Sequence, residues 1–184
     1  MTFSPHWNTF RLTPVLWFVL ALPAFAQTAP PKAATPKPCA SEPAYHKLDF
    51  WVGRWDVFDQ QGGARDGTNL IEKILQGCAL VENWHDADGS EGKSLFYYQK
   101  ATKQWKQVWV TDVGPMKEKR LIEDLQGGGV RFQGEIPHPD GTSHLDRTTL
   151  TPQPHDRVRQ VIEISRDGGK TWETVYDAEY RRQE

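Results

Sequence analysis

Beyond residue 53 the chain is a succession of short strand-like runs cut apart by glycine and aspartate turn signals. The runs are 54–59, 68–75, 79–85, 93–98, 105–111, 117–125, 130–136, 145–151, 157–165 and 172–181. Between them stand Gly62-Gly63, Gln76-Gly77, Asp88-Gly89, Gly114-Pro115, Gly127-Gly128-Gly129, Asp140-Gly141 and Asp167-Gly168-Gly169. Short runs with such punctuation predict antiparallel strands. Their short connections let every strand pair with its neighbour in sequence. No stretch sustains a helical period, and a single helical turn is expected over 45–51.

Several runs have two distinct faces. Val130, Phe132 and Ile136 oppose Arg131, Gln133 and Glu135. Val158, Ile162 and Ile164 oppose Arg157, Arg159 and Glu163, and Trp172, Tyr176 and Tyr180 oppose Glu173, Asp177 and Glu179. Such strands need an interior on one side and water on the other. A sheet curled around its own interior satisfies both. The expected fold is all-β, an antiparallel up-and-down β-barrel of about ten strands.

The first 38 residues read differently. Arg11 precedes an apolar run over 15–22, Ala24-Phe25-Ala26 is a small-x-small cleavage site, and no acid occurs before Glu42. This is the pattern of a secretory leader over 1–26, and the run is too short to span a bilayer. Residues 27–38 are rich in Pro, Ala and Lys without a large apolar side chain, the composition of a disordered tether. Residues 39–184 then form a single domain, large enough for a core of its own. The expected location is periplasmic or secreted. Formal net charge is −2 with both signs interspersed, which argues against nucleic acid as a partner. No stable membrane insertion is expected once the leader is cleaved, and the oligomeric state is left open. The two cysteines, Cys39 and Cys78, read as a disulfide in an oxidising compartment.

Gly53-Arg54-Trp55 follows an aromatic segment, and Arg181 and Arg182 close the last strand. This resembles the lipocalin group, in which a Gly-x-Trp opens the first strand. The resemblance implies an indole plugging one end of the barrel, with a guanidinium stacked on it and capping backbone groups. The wider pattern is Asp49-Phe50-Trp51-x-Gly53-x-Trp55-Asp56-Val57, Ile74-Leu75-x-Gly77-Cys78, Glu82-x-Trp84 and Trp105-x-Gln107-x-Trp109-Val110. It resembles a family of uncharacterised exported bacterial domains of unknown function with lipocalin-like (calycin) folds. That likeness implies a fold and a compartment and carries no reaction. A more distant likeness is to nitrobindin, which binds haem through a histidine near its C-terminus. This chain departs there: His138, His144 and His155 lie in or beside turns. No cofactor and no metal are expected.

Ser165-Arg166-Asp167-Gly168-Gly169-Lys170-Thr171-Trp172 fits an Asp-box, a hairpin whose aspartate ties the turn through backbone N–H groups. It occurs once, and the chain is too short for a propeller. Asp86-Ala87-Asp88-Gly89-Ser90-Glu91 has the flavour of a calcium loop, but the flanking helices are missing. It reads as a hairpin turn.

The interior offers the candidate site. Leu80, Glu82 and Trp84 share a face, as do Trp105, Gln107 and Trp109; Gln160 interrupts an apolar face, and Arg147 sits mid-strand. Glu82, Trp84, Gln107, Trp109, Arg147 and Gln160 are the candidate ligand-binding residues. Inward polar groups must pair with one another, meet water or meet a ligand. A register displaced by one residue would send the set outward. Three functions stay open: a module binding a small, partly apolar molecule, an enzyme using Glu82 as general acid or base, and a filled barrel acting through its outer surface. No catalytic pair is visible.

Overall fold

The computed structural model describes residues 37–183, residue 115 excepted. The leader over 1–26 and the tether as far as residue 36 lie outside the described residues. Ten strands follow one another: β1 Gly53–Asp59, β2 Arg65–Ile74, β3 Ala79–Asp86, β4 Glu91–Gln99, β5 Gln104–Thr111, β6 Met116–Asp124, β7 Val130–Pro137, β8 Ser143–Gln153, β9 Arg157–Ser165 and β10 Glu173–Arg182. Each is antiparallel to its neighbours in sequence, and β10 pairs with β1 to close the barrel. Closure leaves no unpaired edge. No described helix is long and apolar enough to cross a membrane.

The end of the barrel where β1 begins is sealed. The segment before it makes one helical turn, Pro38–Ser41, and two 3-10 turns, Pro43–His46 and Asp49–Trp51. The single turn expected over 45–51 is therefore split in two, interrupted at Lys47 and Leu48. Leu48, Trp51 and Trp55 are wholly buried there with Phe96, Phe132, Leu150 and Val158. The rings meet edge to face: Trp51 with Phe96 at 5.4 Å and Phe96 with Phe132 at 5.5 Å between centroids. Trp105 Nε1 donates to the Ala44 carbonyl at 2.8 Å, and the Cys39–Cys78 disulfide staples the segment to the start of β3.

A terminal arginine covers the Gly-x-Trp indole, the arrangement that the resemblance implies. The Arg182 guanidinium stacks 4.2 Å over the Trp55 ring, donates from Nη1 to the Val52 carbonyl at 3.0 Å, and pairs with Asp156. Gly53 has φ +142°, and a Cβ there would collide with that guanidinium. Arg181 covers Phe58 instead, 4.1 Å above its ring.

The outer wall is a lattice of cross-strand ion pairs, among them Arg159 with Asp177 and Arg157 with Glu179. Arg147 belongs to it, which corrects the inward reading. It grips Glu163 bidentately at 2.6 and 2.8 Å and stacks 3.9 Å over Trp172. The inward residues of β8 are Asp146, Thr148 and Leu150. Trp172 is a second correction, since it does not share the inner face of Tyr176 and Tyr180. The register shifts between Thr174 and Tyr176, so one extra residue reverses the alternation above that point.

Candidate functional site

Aromatic side chains fill the lower half of the barrel, and the upper half is hollow. The cavity measures about 330 Å³. It continues into a hollow of about 340 Å³ at the mouth, and the two share Trp84, Asp86, Val175 and Tyr176. Five of the six candidate residues line the cavity: Glu82, Trp84, Gln107, Trp109 and Gln160. Period-2 geometry puts them there, because strands with correct register present alternate residues to one side.

Two glycines make room for the indoles. A Cβ at Gly92 on β4 would collide with the Trp109 ring, and one at Gly67 on β2 would meet the Trp84 ring at 3.0 Å. Each indole therefore lies across a glycine of the adjacent strand.

One wall carries a neutral-to-acidic hydrogen-bond chain. Gln107 Nε2 donates to Ser94 Oγ at 3.1 Å, and Ser94 Oγ donates to Glu82 Oε2 at 2.5 Å. Asn69 Nδ2 donates to Glu82 Oε1 at 2.7 Å and to the Tyr180 hydroxyl at 3.3 Å. Tyr180 in turn donates to Gln160 Oε1 at 2.6 Å. Burial pushes the Glu82 carboxyl upward, against the pull of Ser94 and Asn69. Burial, helped by the charge of Glu82, likewise raises the Tyr180 phenol. Much of this polar set is satisfied within the protein. Gln107 Oε1 and Asn69 Oδ1 are buried without a partner among the described residues.

The adjoining wall carries a charged triad that the sequence reading did not single out. Lys119, with its side chain 2% exposed, donates to Asp146 at 2.5 Å and to Thr148 Oγ1 at 2.6 Å. Lys117 donates to the other oxygen of Asp146 at 2.7 Å. Lys119 and Asp146 stand on β6 and β8, two strands apart. The inward position between them on β7 is Gly134, directly opposite Asp146. A Cβ at Gly134 would strike the Glu118 carbonyl, so the two backbones approach closely and no side chain separates the pair. Burial lowers the Lys119 ammonium to about 8, the charge of Asp146 opposing the shift. Burial would raise the Asp146 carboxyl, but the two ammoniums outweigh it and hold it below its ordinary value. The available signal was Leu121, a half-buried residue two and four places beyond the lysines on the same face.

The mouth is acidic, with Asp59, Asp66, Asp86 and Asp177 around the opening. Each has a local partner. Asp59 caps its own turn, receiving the Gln61 and Gly62 N–H groups, and Asp177 holds Arg159. Asp86 accepts the Asp88 N–H within the 86–91 segment, which is the β3–β4 hairpin turn. Asp66 is raised by burial and bonded to Tyr176.

The Asp-box residues form the β9–β10 hairpin. Asp167 Oδ1 receives the N–H groups of Lys170 and Thr171 at 3.0 and 2.9 Å, and Trp172 Nε1 donates to the Gly169 carbonyl. His138 and His144 stack on each other at the β7–β8 hairpin, with ring nitrogens 2.8 Å apart. His155 sits in the β8–β9 turn at the sealed end with φ 61°.

No protein-family model matches this chain, and no curated protein sequence matches it.

Proposed function

We propose that this protein is an exported binding module holding a small, partly apolar molecule in the upper half of its barrel. The observation that carries this is the half-filled interior. One end is sealed by packed aromatics, while the other keeps about 330 Å³ open between two indoles and several converging polar groups. A cavity of that size with apolar walls and a few placed polar anchors is the usual form of a ligand site. A barrel that needed only to be stable would gain from filling it, since voids forfeit packing contacts. The disulfide supports an oxidising compartment. Glu82, Trp84, Gln107, Trp109 and Gln160 are the proposed contacts, and the outward Arg147 is dropped.

The test is a native mass spectrum of the oxidised protein purified from an exporting host, followed by thermal-shift screening. The expected result is a small adduct lost on denaturation, or a raised melting temperature with some screened compound. Trp109→Ala should weaken that binding by about tenfold, the worth of a stacked indole. A bare mass with no shift across a broad library would overturn the reading.

One observation favours a second reading. Glu82 faces the cavity with its carboxyl raised by burial, the condition of a general acid. Turnover that Glu82→Gln abolishes, with folding intact, would establish it.

A further inference from the structure

We infer that the ligand is a small 2-hydroxy acid with an apolar body, its carboxylate against Lys117 and Lys119 and its hydroxyl donating to Gln107. This rests on the binding-module reading and specifies its chemistry.

Charge on the β6 wall comes first. Lys117 and Lys119 share a single carboxylate, Asp146. That wall therefore holds one positive charge in excess, in a cavity where an uncompensated charge is costly. Lys119 gives two of its three N–H donors to Asp146 and Thr148, and the third has no acceptor among the described residues. The two acids that line the cavity, Glu82 and Asp86, make no ion pair with either lysine among the described residues, although the charge of Glu82 is felt at Lys119. Both oxygens of Glu82 already accept, from Ser94 and Asn69, and burial favours its neutral form. At the mouth, Asp59, Asp66, Asp86 and Asp177 are held by their own turns, Tyr176 and Arg159. An anion completing the lysine pair is the missing component.

Gln107 supplies the second, independent observation. Its side chain lines the cavity, the residue is 7% exposed, and Oε1 has no donor. It stands directly opposite Lys119 in the β5–β6 register. A carboxylate has no hydrogen to give it, so a donor on the atom beside the carboxylate is what would complete it from the ligand's side. An ammonium there would add to the cationic excess, whereas a hydroxyl would not. Trp109 is opposite Lys117 in the same register, which places an indole beside the anion for the apolar body to lie on.

The test uses the oxidised protein with four probes: 2-hydroxy-3-phenylpropanoate, 3-phenylpropanoate, the neutral amide of the hydroxy acid, and Nile red. Tryptophan quenching and calorimetry read the affinities. The hydroxy acid should bind about tenfold more tightly than its amide, the worth of one charge-assisted bond. It should also bind more tightly than the acid lacking the hydroxyl. Lys117→Met spares the buried Lys119–Asp146 pair and should bring acid and amide to within about twofold. Equal binding of acid and amide by the wild-type protein overturns the proposal without any variant. Nile red binding with no acid binding overturns it and leaves the cavity reading standing. If no probe enters, both readings fall.

Discussion

Single residues decide what the cavity can hold. Gly92 is an instance: its missing side chain is the space that the Trp109 ring occupies. Gly92→Ala should drive the indole toward the hollow, at an overpacking cost of about 1–3 kcal/mol. Urea unfolding would give that cost, and weaker Nile red binding would show the lost volume. Glu82 sets a pH dependence. Its folded-state pKa is raised by burial, so the native state holds the proton to higher pH than the unfolded chain. Its contribution is fully present below the ordinary glutamate pKa and is lost as pH rises through the raised value. Unfolding free energy should therefore fall over that window in the wild-type protein, and Glu82→Gln should remove that part of the slope. An identical pH profile for the variant would mean that the carboxyl is not strained by burial.

At the scale of elements, the β9–β10 hairpin is held by one carboxylate. The hydroxyl and N–H of Thr171, then Ser165, pull the Asp167 carboxyl down to about 2. A depressed carboxyl stabilises above the unfolded pKa, about 4, and loses that contribution as pH falls through about 2. Amide exchange at Lys170 and Thr171 should stay slow until that region is reached, and Asp167→Ala should make both amides exchange fast at every pH. The same hairpin leads into the register shift in β10. Tyr176 and Tyr180 were legible as inward from their spacing, but Trp172 was not, because one extra residue above them reverses the alternation. In β8 the ambiguity has another source. Leu145 and Leu150 have opposite parity, so the pattern alone could not say whether Asp146 or Arg147 faces inward. Register with β7 and β9 chose Asp146, whose charge meets the two lysines.

Across the whole molecule, the packed seal and the open cavity stand at opposite ends. The disulfide closes a separation of 39 residues at the sealed end. Loop-closure entropy values such a bridge at roughly 4 kcal/mol. Cys39→Ser with Cys78→Ser should lower the unfolding free energy by about 2–5 kcal/mol, read from the urea midpoint. Affinity at the open end should change by less than about twofold; a larger loss would mean that the terminal segment shapes the cavity as well as the seal.

The strands, their order and their meander were readable from local features, since turn residues and period-2 alternation act within a few residues of themselves. The stacking of a terminal arginine on Trp55 was implied by a resemblance, which left Arg181 and Arg182 both open, and the Cys39–Cys78 bridge was expected from two cysteines behind a leader-like N-terminus. The inward set was readable wherever apolar neighbours marked the face, as beside Glu82, Gln107 and Gln160. The lysine pair on Asp146 was not. It depends on a register between β6, β7 and β8, and on a glycine at position 134 that puts no side chain between Lys119 and Asp146. Closure of the sheet created both that contact and the hollow above the aromatic core, because both arise between residues distant in sequence.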